Sequence, residues 1–541
     1  MQKPTGVLAG IATILLLAGA VQARPRQQAD PYDTRLEQTR SLLSQRRTEE
    51  ALQPLSEALR LRPDSLEALW LMGVLHLELG RFEDGVPPIR HLIELSPEES
   101  RPRLLLGTLL EALGRLDEAV AQYQEVLVRD AYHRDALLVV GRLTLQAENN
   151  AAARPVIERL AARYPTDPAA QILRGRLYAG EGAYREAVLA LQRAARLDPS
   201  SSEAQYLLGT LYAELGRVEL ARQHLETALL LLPDNGPSVL QLGLLAADEE
   251  RTEEALAYFE RAVELMPDNA RAHFRLGEAR QYLREMNAAE EAFRMALTLD
   301  ADLPEARLQL GMLYLETAQD KAAIAELTRA AALDPDNAAI RHQWGRAAMA
   351  VGDESAARRE LEAALRLDPF LAEAHLALGN LLIRQGDPET GRDLLTRFRE
   401  LQRSEAEIET MFARLSEAPG NTAPQRDLVS RLLDEGRHEQ ALNAVLAWIV
   451  GSRRLCADLS ATYRDALDAS ADPGEVLLGL GTVLVECGDA ADAITYLERA
   501  RTSGPPTVEL LLRLARAYDM TGQAGVAADL RAEATALRPP R

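Results

Sequence analysis

The stretch LGTLYAELGRVELARQHLETALLLLPDN, Leu208 to Asn235, is echoed by LGMLYLETAQDKAAIAELTRAAALDPDN, Leu310 to Asn337. The two begin 102 residues apart, three times 34. Working outward, glycine recurs at Gly73, Gly107, Gly141, Gly175, Gly209, Gly243, Gly277, Gly311, Gly345 and Gly379, every 34 residues without a gap. Proline keeps the same spacing at Pro63, Pro97, Pro165, Pro199, Pro233, Pro267, Pro335 and Pro369, with Ala131 and Ala301 in the two remaining places. A period of this length, sustained along the chain, specifies an array of stacked units rather than one compact core.

Each unit reads as a pair of helices. Apolar residues such as Val239, Leu242, Leu245 and Ala246 recur at helical spacing and give a first amphipathic helix. A turn follows, often carrying a second glycine (Gly80, Gly114, Gly182, Gly216, Gly352, Gly386) able to take a positive φ. The second helix has a small residue early (Ala119, Ala187, Ala221, Ala255), a large apolar one four later (Tyr123, Leu191, Leu225, Phe259), then another small one (Ala194, Ala228, Ala262), and proline ends it. Small residues on both helices let the backbones approach, and the large residue fills the joint to the next unit. A single hairpin leaves its apolar face wet, so units must stack.

Composition agrees with helices. Aromatic residues are 4% of the 541, little material for a β-sandwich, and the formal charge of -21 disfavours nonspecific nucleic-acid binding, which needs clustered cations. Lys3 and Lys321 are the only lysines, so the positive charge is almost all arginine.

At the N-terminus, Lys3 precedes the apolar run Val7 to Ala20, and Val21-Gln22-Ala23 supplies small residues suited to signal peptidase. Residues 1–23 therefore read as a secretory signal peptide or, with the uncharged stretch Pro4 to Ala23 retained, as an anchor in the inner membrane. Either places the body outside the cytoplasm, periplasmic or secreted. In an oxidising compartment Cys456 and Cys487 either pair or stay as two separate buried thiols.

The 34-residue length, glycine at the eighth place, alanine at the twentieth and twenty-seventh, and proline at the thirty-second together resemble the tetratricopeptide repeat family. The aromatic that the family places near the start of the first helix is missing in most units, and the first unit has Thr39 where glycine is usual. The resemblance implies an all-α, right-handed α-solenoid. With Leu66 as a first place, a linker (24–31) leads into eleven contiguous units over 32–405. Ser404 to Asn421 reads as a separate amphipathic helix, with Ser404 and Glu407 as a capping box, so 406–421 is an inserted helix. A degenerate unit follows at 422–455, with Trp448 where alanine is expected, then a second inserted helix at 456–473 and two C-terminal units at 474–541, the last ending at Pro539.

By the same resemblance the first helices line a concave surface, with the fifth, ninth, twelfth and thirteenth places facing it. The fifth places form an apolar ladder: Trp70, Leu104, Leu138, Ile172, Tyr206, Leu240, Phe274, Leu308, His342 and Leu376. It reads either as a groove gripping a peptide or as packing beneath neighbouring helices, with Tyr206 and Phe274 the residues best suited to contact a ligand. Arg142 and Arg176, at successive ninth places, offer a cationic spot for a carboxylate or sulfate or else a solvated surface. His273 and His375, at fourth places, read as packed side chains. No HExxH, GxSxG or phosphate-loop motif occurs, so no catalytic residue, metal site or cofactor is expected. The expected function is a non-enzymatic protein-interaction scaffold of the bacterial envelope, holding a protein or peptide partner. The alternative is an accessory or regulatory subunit of a polysaccharide-export or envelope enzyme complex. Self-association through the last helix is a further expectation.

Overall fold

A computed structural model describes residues 30–417, 422–449, 453–470 and 473–537. The expected signal segment 1–23, most of the linker and Pro539 lie outside the described residues. Regular structure among the described residues is entirely helical, and the chain divides into two compact units, one running to Leu143 and one from Thr144.

The helices repeat as regularly as the sequence. From Leu66–Glu78 to Ala372–Arg384 every first helix has 13 residues, and from Thr48–Leu61 to Glu354–Leu367 every second helix has 14. Several first helices start at a residue whose side chain accepts a backbone N–H: Ser65 from Ala68, Ser201 from Ala204, Asn235 from Ser238, Asn269 from Ala272, Asn337 from Ile340. Such a cap satisfies an otherwise unpaired donor and contributes about 1 kcal/mol.

The eighth-place glycine is a matter of space. A Cβ built on Gly209 would lie 2.6 Å from Leu225 Cγ, and one on Gly277 2.6 Å from Phe293. Gly243 faces Phe259 and Gly311 faces Leu327 in the same way, while Gly73 and Gly107 in the first unit meet Ile89 and Tyr123. In each case the intruding side chain is sixteen residues on, the large apolar place of the second helix. That contact locks each hairpin, and the buried alanines (Ala221, Ala228, Ala255, Ala262, all 0% exposed) admit the neighbouring helix.

Two features differ from the sequence reading. The helix expected to begin at Ser404 does not begin there: Pro388–Glu417 is one continuous helix of 30 residues. Ser404 is therefore no cap, and its Oγ donates instead to Glu435 Oε2 at 2.5 Å. Nothing in the intervening residues breaks helical hydrogen bonding, so the second helix of the last contiguous repeat simply continues.

The second difference concerns the C-terminal module. Its helices (Ala423–Asp434, His438–Ile449, Arg453–Ala469, Gly474–Cys487, Ala490–Ser503, Val508–Met520, Ala524–Ala536) share a core that includes Leu432, Leu459, Tyr463, Leu480, Leu497 and Leu514. The last helix pair, whose final helix carries the expectation of self-association, packs against residues 150–186 of its own chain. Arg513 Nη1 donates to the Gly182 carbonyl at 3.0 Å, Arg516 Nη2 to Glu186 Oε2 at 2.9 Å, and Arg154 Nη1 lies 3.5 Å from Asp519 Oδ2.

Candidate ligand-binding surface

In the first unit Trp70, Leu104 and Leu138 are half-buried, so each keeps part of its side chain accessible on a first helix. Arg142 Nη2 donates to Glu111 Oε1 at 2.6 Å, so its charge is already opposed by a carboxylate one repeat earlier.

In the second unit the ladder splits. Ile172, Leu240, Phe274 and His342 are buried, at 7, 7, 5 and 5% exposure. Phe274 in particular belongs to the core: its ring centroid lies 6.0 Å from that of Phe293 on the second helix of the same hairpin. It fills the interior at the level where Gly277 gives way to Phe293, and this overrides its reading as a ligand contact. Tyr206 and Leu308 are half-buried, as are Leu376 and Arg176. His342 is neutral, its pKa lowered to about 4 chiefly by burial and further by Arg346, with Glu373 opposing.

Tyr282, at a thirteenth place and so outside the fifth-place ladder, is 71% exposed at the C-terminal end of its helix Ala270–Tyr282. The signal was present, because the resemblance marks that place too and a tyrosine there is uncommon in this aromatic-poor chain. Ninth places add the half-buried Leu244, Glu278 and Met312. Burial raises the Glu278 carboxyl, with Arg275 at 2.8 Å pulling it back, and burial also raises that of Glu214. The second unit's first helices thus present partly covered apolar side chains interspersed with carboxylates.

His375 is buried, as packing requires, and His273 half-buried, and each also makes a hydrogen bond. His273 Nε2 donates to the Pro267 carbonyl and His375 Nε2 to the Pro369 carbonyl, both at 2.9 Å. Arg103, Gln171, Arg307 and Arg341 make the same contact to the carbonyl six residues back. In these repeats the fourth place supplies a donor to a carbonyl in the turn before the helix, whether that residue is proline or Ala301, whereas Leu69, Leu137 and Val239 hold the same place elsewhere.

Cys456, on Arg453–Ala469, and Cys487, at the end of Gly474–Cys487, form a disulfide with Cα atoms 5.7 Å apart. Among the described residues no group of three or more His, Cys, Asp or Glu is placed to hold a metal ion, and no helix is long and apolar enough to cross a membrane.

Three tetratricopeptide repeat models match the sequence, one over residues 36–100, 104–168, 240–304, 342–406 and 478–541, the others over 178–243 and 304–337. No curated protein matches it. Among solved structures the chain is similar to Pseudomonas aeruginosa pilF, with 24% identity, 38% of this chain and 94% of that one covered, and a TM-score of 0.36. A tetratricopeptide repeat protein from Parabacteroides merdae shares 16% identity over 46% of this chain and 98% of its own, with a TM-score of 0.42. MamA from Desulfovibrio magneticus shares 23% over 31% and 96%, with a TM-score of 0.29.

Proposed function

Because the chain belongs to the tetratricopeptide repeat family, a family of protein-interaction scaffolds, we propose that it is a non-enzymatic scaffold of the bacterial cell envelope that holds a protein or peptide partner along its first helices. The observation that carries this reading is the accessible set Tyr206, Leu308 and Tyr282 on first helices of the second unit. A rigid array has no packing need for a tyrosine left 71% exposed at a helix end. Half-buried tyrosines and leucines with a polar surround are the anchors that peptide-binding surfaces use. Glu214 and Glu278, held in partly desolvated positions, favour a partner that brings positive charge beside its apolar anchors.

Envelope placement rests on the apolar run Val7 to Ala20 followed by Val21-Gln22-Ala23, and on a disulfide, which persists in oxidising compartments. Intact-mass measurement of the protein recovered from cells tests it: a chain starting after Ala23 is expected, and a full-length chain in the cytosolic fraction overturns it. For the surface, capture from envelope extract is compared between wild type and Tyr206→Ala/Tyr282→Ala. Loss of a defined partner from the variant, with an unchanged helical spectrum, is expected. Identical bound sets would place recognition elsewhere.

A further inference from the structure

The densest group of buried charges lies where the last helix pair meets residues 150–186, and the proposed binding surface makes no use of it. Glu181, Arg513, Arg516 and Arg531 are 5, 6, 7 and 5% exposed, and the Glu486 side chain only 2%. Arg154 pairs with Glu181, Arg531 with Asp519, and Arg516 with Glu486. Crosswise contacts then tie the two sides: Arg531 Nε to Glu181 Oε1 at 3.5 Å, Arg154 to Asp519 at 3.5 Å, Arg516 to Glu186 at 2.9 Å, and both Arg513 and Arg516 to the Gly182 carbonyl, at 3.0 and 3.2 Å. Four arginines face five carboxylates, since Glu509 also stands 3.6 Å from Arg513, so most of the charge in the group is opposed. Gly182 leaves room for the guanidinium: a Cβ there would stand 2.8 Å from Arg513 Nη1.

The contacts described across this junction are mostly polar. The large core of the C-terminal module runs from Ile408 to Ala534 and includes no residue of 150–186. Across the junction Leu512 and Ala534 approach Ala151 around a gap of about 10 Å³. Consecutive repeats are joined in the opposite way, by side chains such as Leu225, Phe259 and Phe293 that are fully or almost fully buried. Buried ion pairs gain little over their solvated state, because the cost of removing both charges from water nearly cancels their attraction. Both sides of the junction are therefore complete folds apart from it, joined by an interaction whose net strength is small.

We propose that the hairpin Val508–Ala536 is a releasable ion-pair clasp on residues 150–186, so that the second unit exists in a closed form, held by Arg513 and Arg516, and an open form in which the C-terminal module stays folded but detached. A partner that binds the open form more tightly shifts the population by its differential affinity alone. Salt favours the open form, because charges released into water gain an ionic atmosphere that charges inside the closed junction do not.

The test uses the full secreted chain with its disulfide intact. Small-angle X-ray scattering and amide hydrogen exchange are recorded at about 0.05 and 1 M salt for wild type, Arg513→Gln/Arg516→Gln, and Glu186→Gln. In wild type, salt is expected to lengthen the maximum dimension and speed exchange in Asn150–Arg163 and Val508–Met520, leaving Gly474–Cys487 protected. The double variant is expected to show the lengthened form already at low salt, with exchange in those two segments at least tenfold faster. Glu186→Gln, which touches Arg516 from outside the C-terminal core, guards against simple misfolding of the module and is expected to move the same readouts less. Scattering curves of all three proteins that superimpose at both salts would overturn the proposal. So would faster exchange spread evenly through Gly474–Cys487, which would make the charges structural.

Discussion

The turn between the two helices of each repeat supplies an internal experiment. Gly114, Gly182, Gly216, Gly352 and Gly386 have φ between 64° and 88°, as a left-handed C-terminal cap requires. At the equivalent place of other repeats stand Arg46, Glu148, Glu250, Arg284 and Ala318, and their φ values, 54° to 66°, are left-handed too. The hydrogen bonds are the same in both kinds: Asp353 N to Ala348 O at 2.9 Å and Gln319 N to Tyr314 O at 2.7 Å. Repeat geometry thus overrides residue preference, at a cost that can be worked out. A side chain with a Cβ in this region loses about 1 to 2 kcal/mol. Replacing it with glycine recovers that but gives the unfolded chain extra freedom worth about 0.4 to 1 kcal/mol. The net gain is about 0 to 1.6 kcal/mol per site, centred near 0.8. Arg284 also loses its 3.3 Å ion pair with Glu316, but its side chain is 77% exposed and the pair counts for little.

Glu250→Gly, Arg284→Gly and Ala318→Gly lie in different repeats, so their effects add, to about 2 kcal/mol. The reverse substitutions Gly352→Ala and Gly386→Ala introduce a Cβ that meets nothing within 4 Å, so their cost is conformational alone. Each is expected to destabilise by about 0.8 kcal/mol. Urea denaturation followed by circular dichroism reads the triple variant against wild type, with hydrogen exchange of the affected hairpins confirming that the change is local. A triple variant no more stable than wild type, combined with neutral Gly→Ala substitutions, would refute the claim that the array imposes this backbone conformation.

Gly209→Ala is expected to cost about 1 to 3 kcal/mol in the same assay, because its Cβ would meet Leu225 Cγ at 2.6 Å and Ala221 O at 3.1 Å, and a midpoint equal to wild type would contradict the packing. For His342 the folded pKa of about 4 lies below the unfolded value near 6.5, so the unfolded chain takes up the proton first as pH falls. The stabilisation is complete above pH 6.5 and is lost toward pH 4, by about 3 kcal/mol, so wild type should lose that much relative to His342→Gln over this window, and parallel pH profiles would count against it. Reducing the Cys456–Cys487 bond, which closes a separation of 31 residues, should destabilise the C-terminal module by about 3 to 4 kcal/mol in a chain-entropy treatment, seen as earlier urea unfolding with reductant present.

The parts of the fold that the sequence made legible are those whose contacts are short in sequence. Gly209 and Leu225 are sixteen residues apart, and that spacing recurs from Gly73 to Gly345 in most contiguous repeats, so the hairpin and its period could be read directly. The false helix start at Ser404 shows the limit of local pattern: Ser404 and Glu407 make a plausible cap only if something stops the preceding helix, and nothing does. Fourth-place donors escaped because Arg, Gln and His look unrelated until the carbonyl they serve is seen. Within the candidate surface, Tyr206 and Phe274 occupy the same place, yet Phe274 packs on Phe293 and is buried while Tyr206 is half-buried, a difference the place alone does not carry. The clasp was invisible, since its partners are about 330 residues apart and Arg513 and Arg516 resemble any exposed pair one helical turn apart.

These two kinds of joint set an order of events when the second unit is strained. Between consecutive repeats, buried leucines, phenylalanines and alanines are removed from water at about 25 cal/mol per Å² of apolar surface, and opening one joint exposes all of it. At the junction of 150–186 with 508–536, opening exchanges ion pairs for hydrated ions, and Glu181, whose carboxyl burial raises despite Arg154 and Arg531, regains solvent. Heat, denaturant or a bulky partner must therefore part the clasp before any repeat unstacks. The ladder of opening free energies read by hydrogen exchange should start at Val508–Met520, and a first opening anywhere within the contiguous repeats 202–367 would contradict this ranking of the two joints.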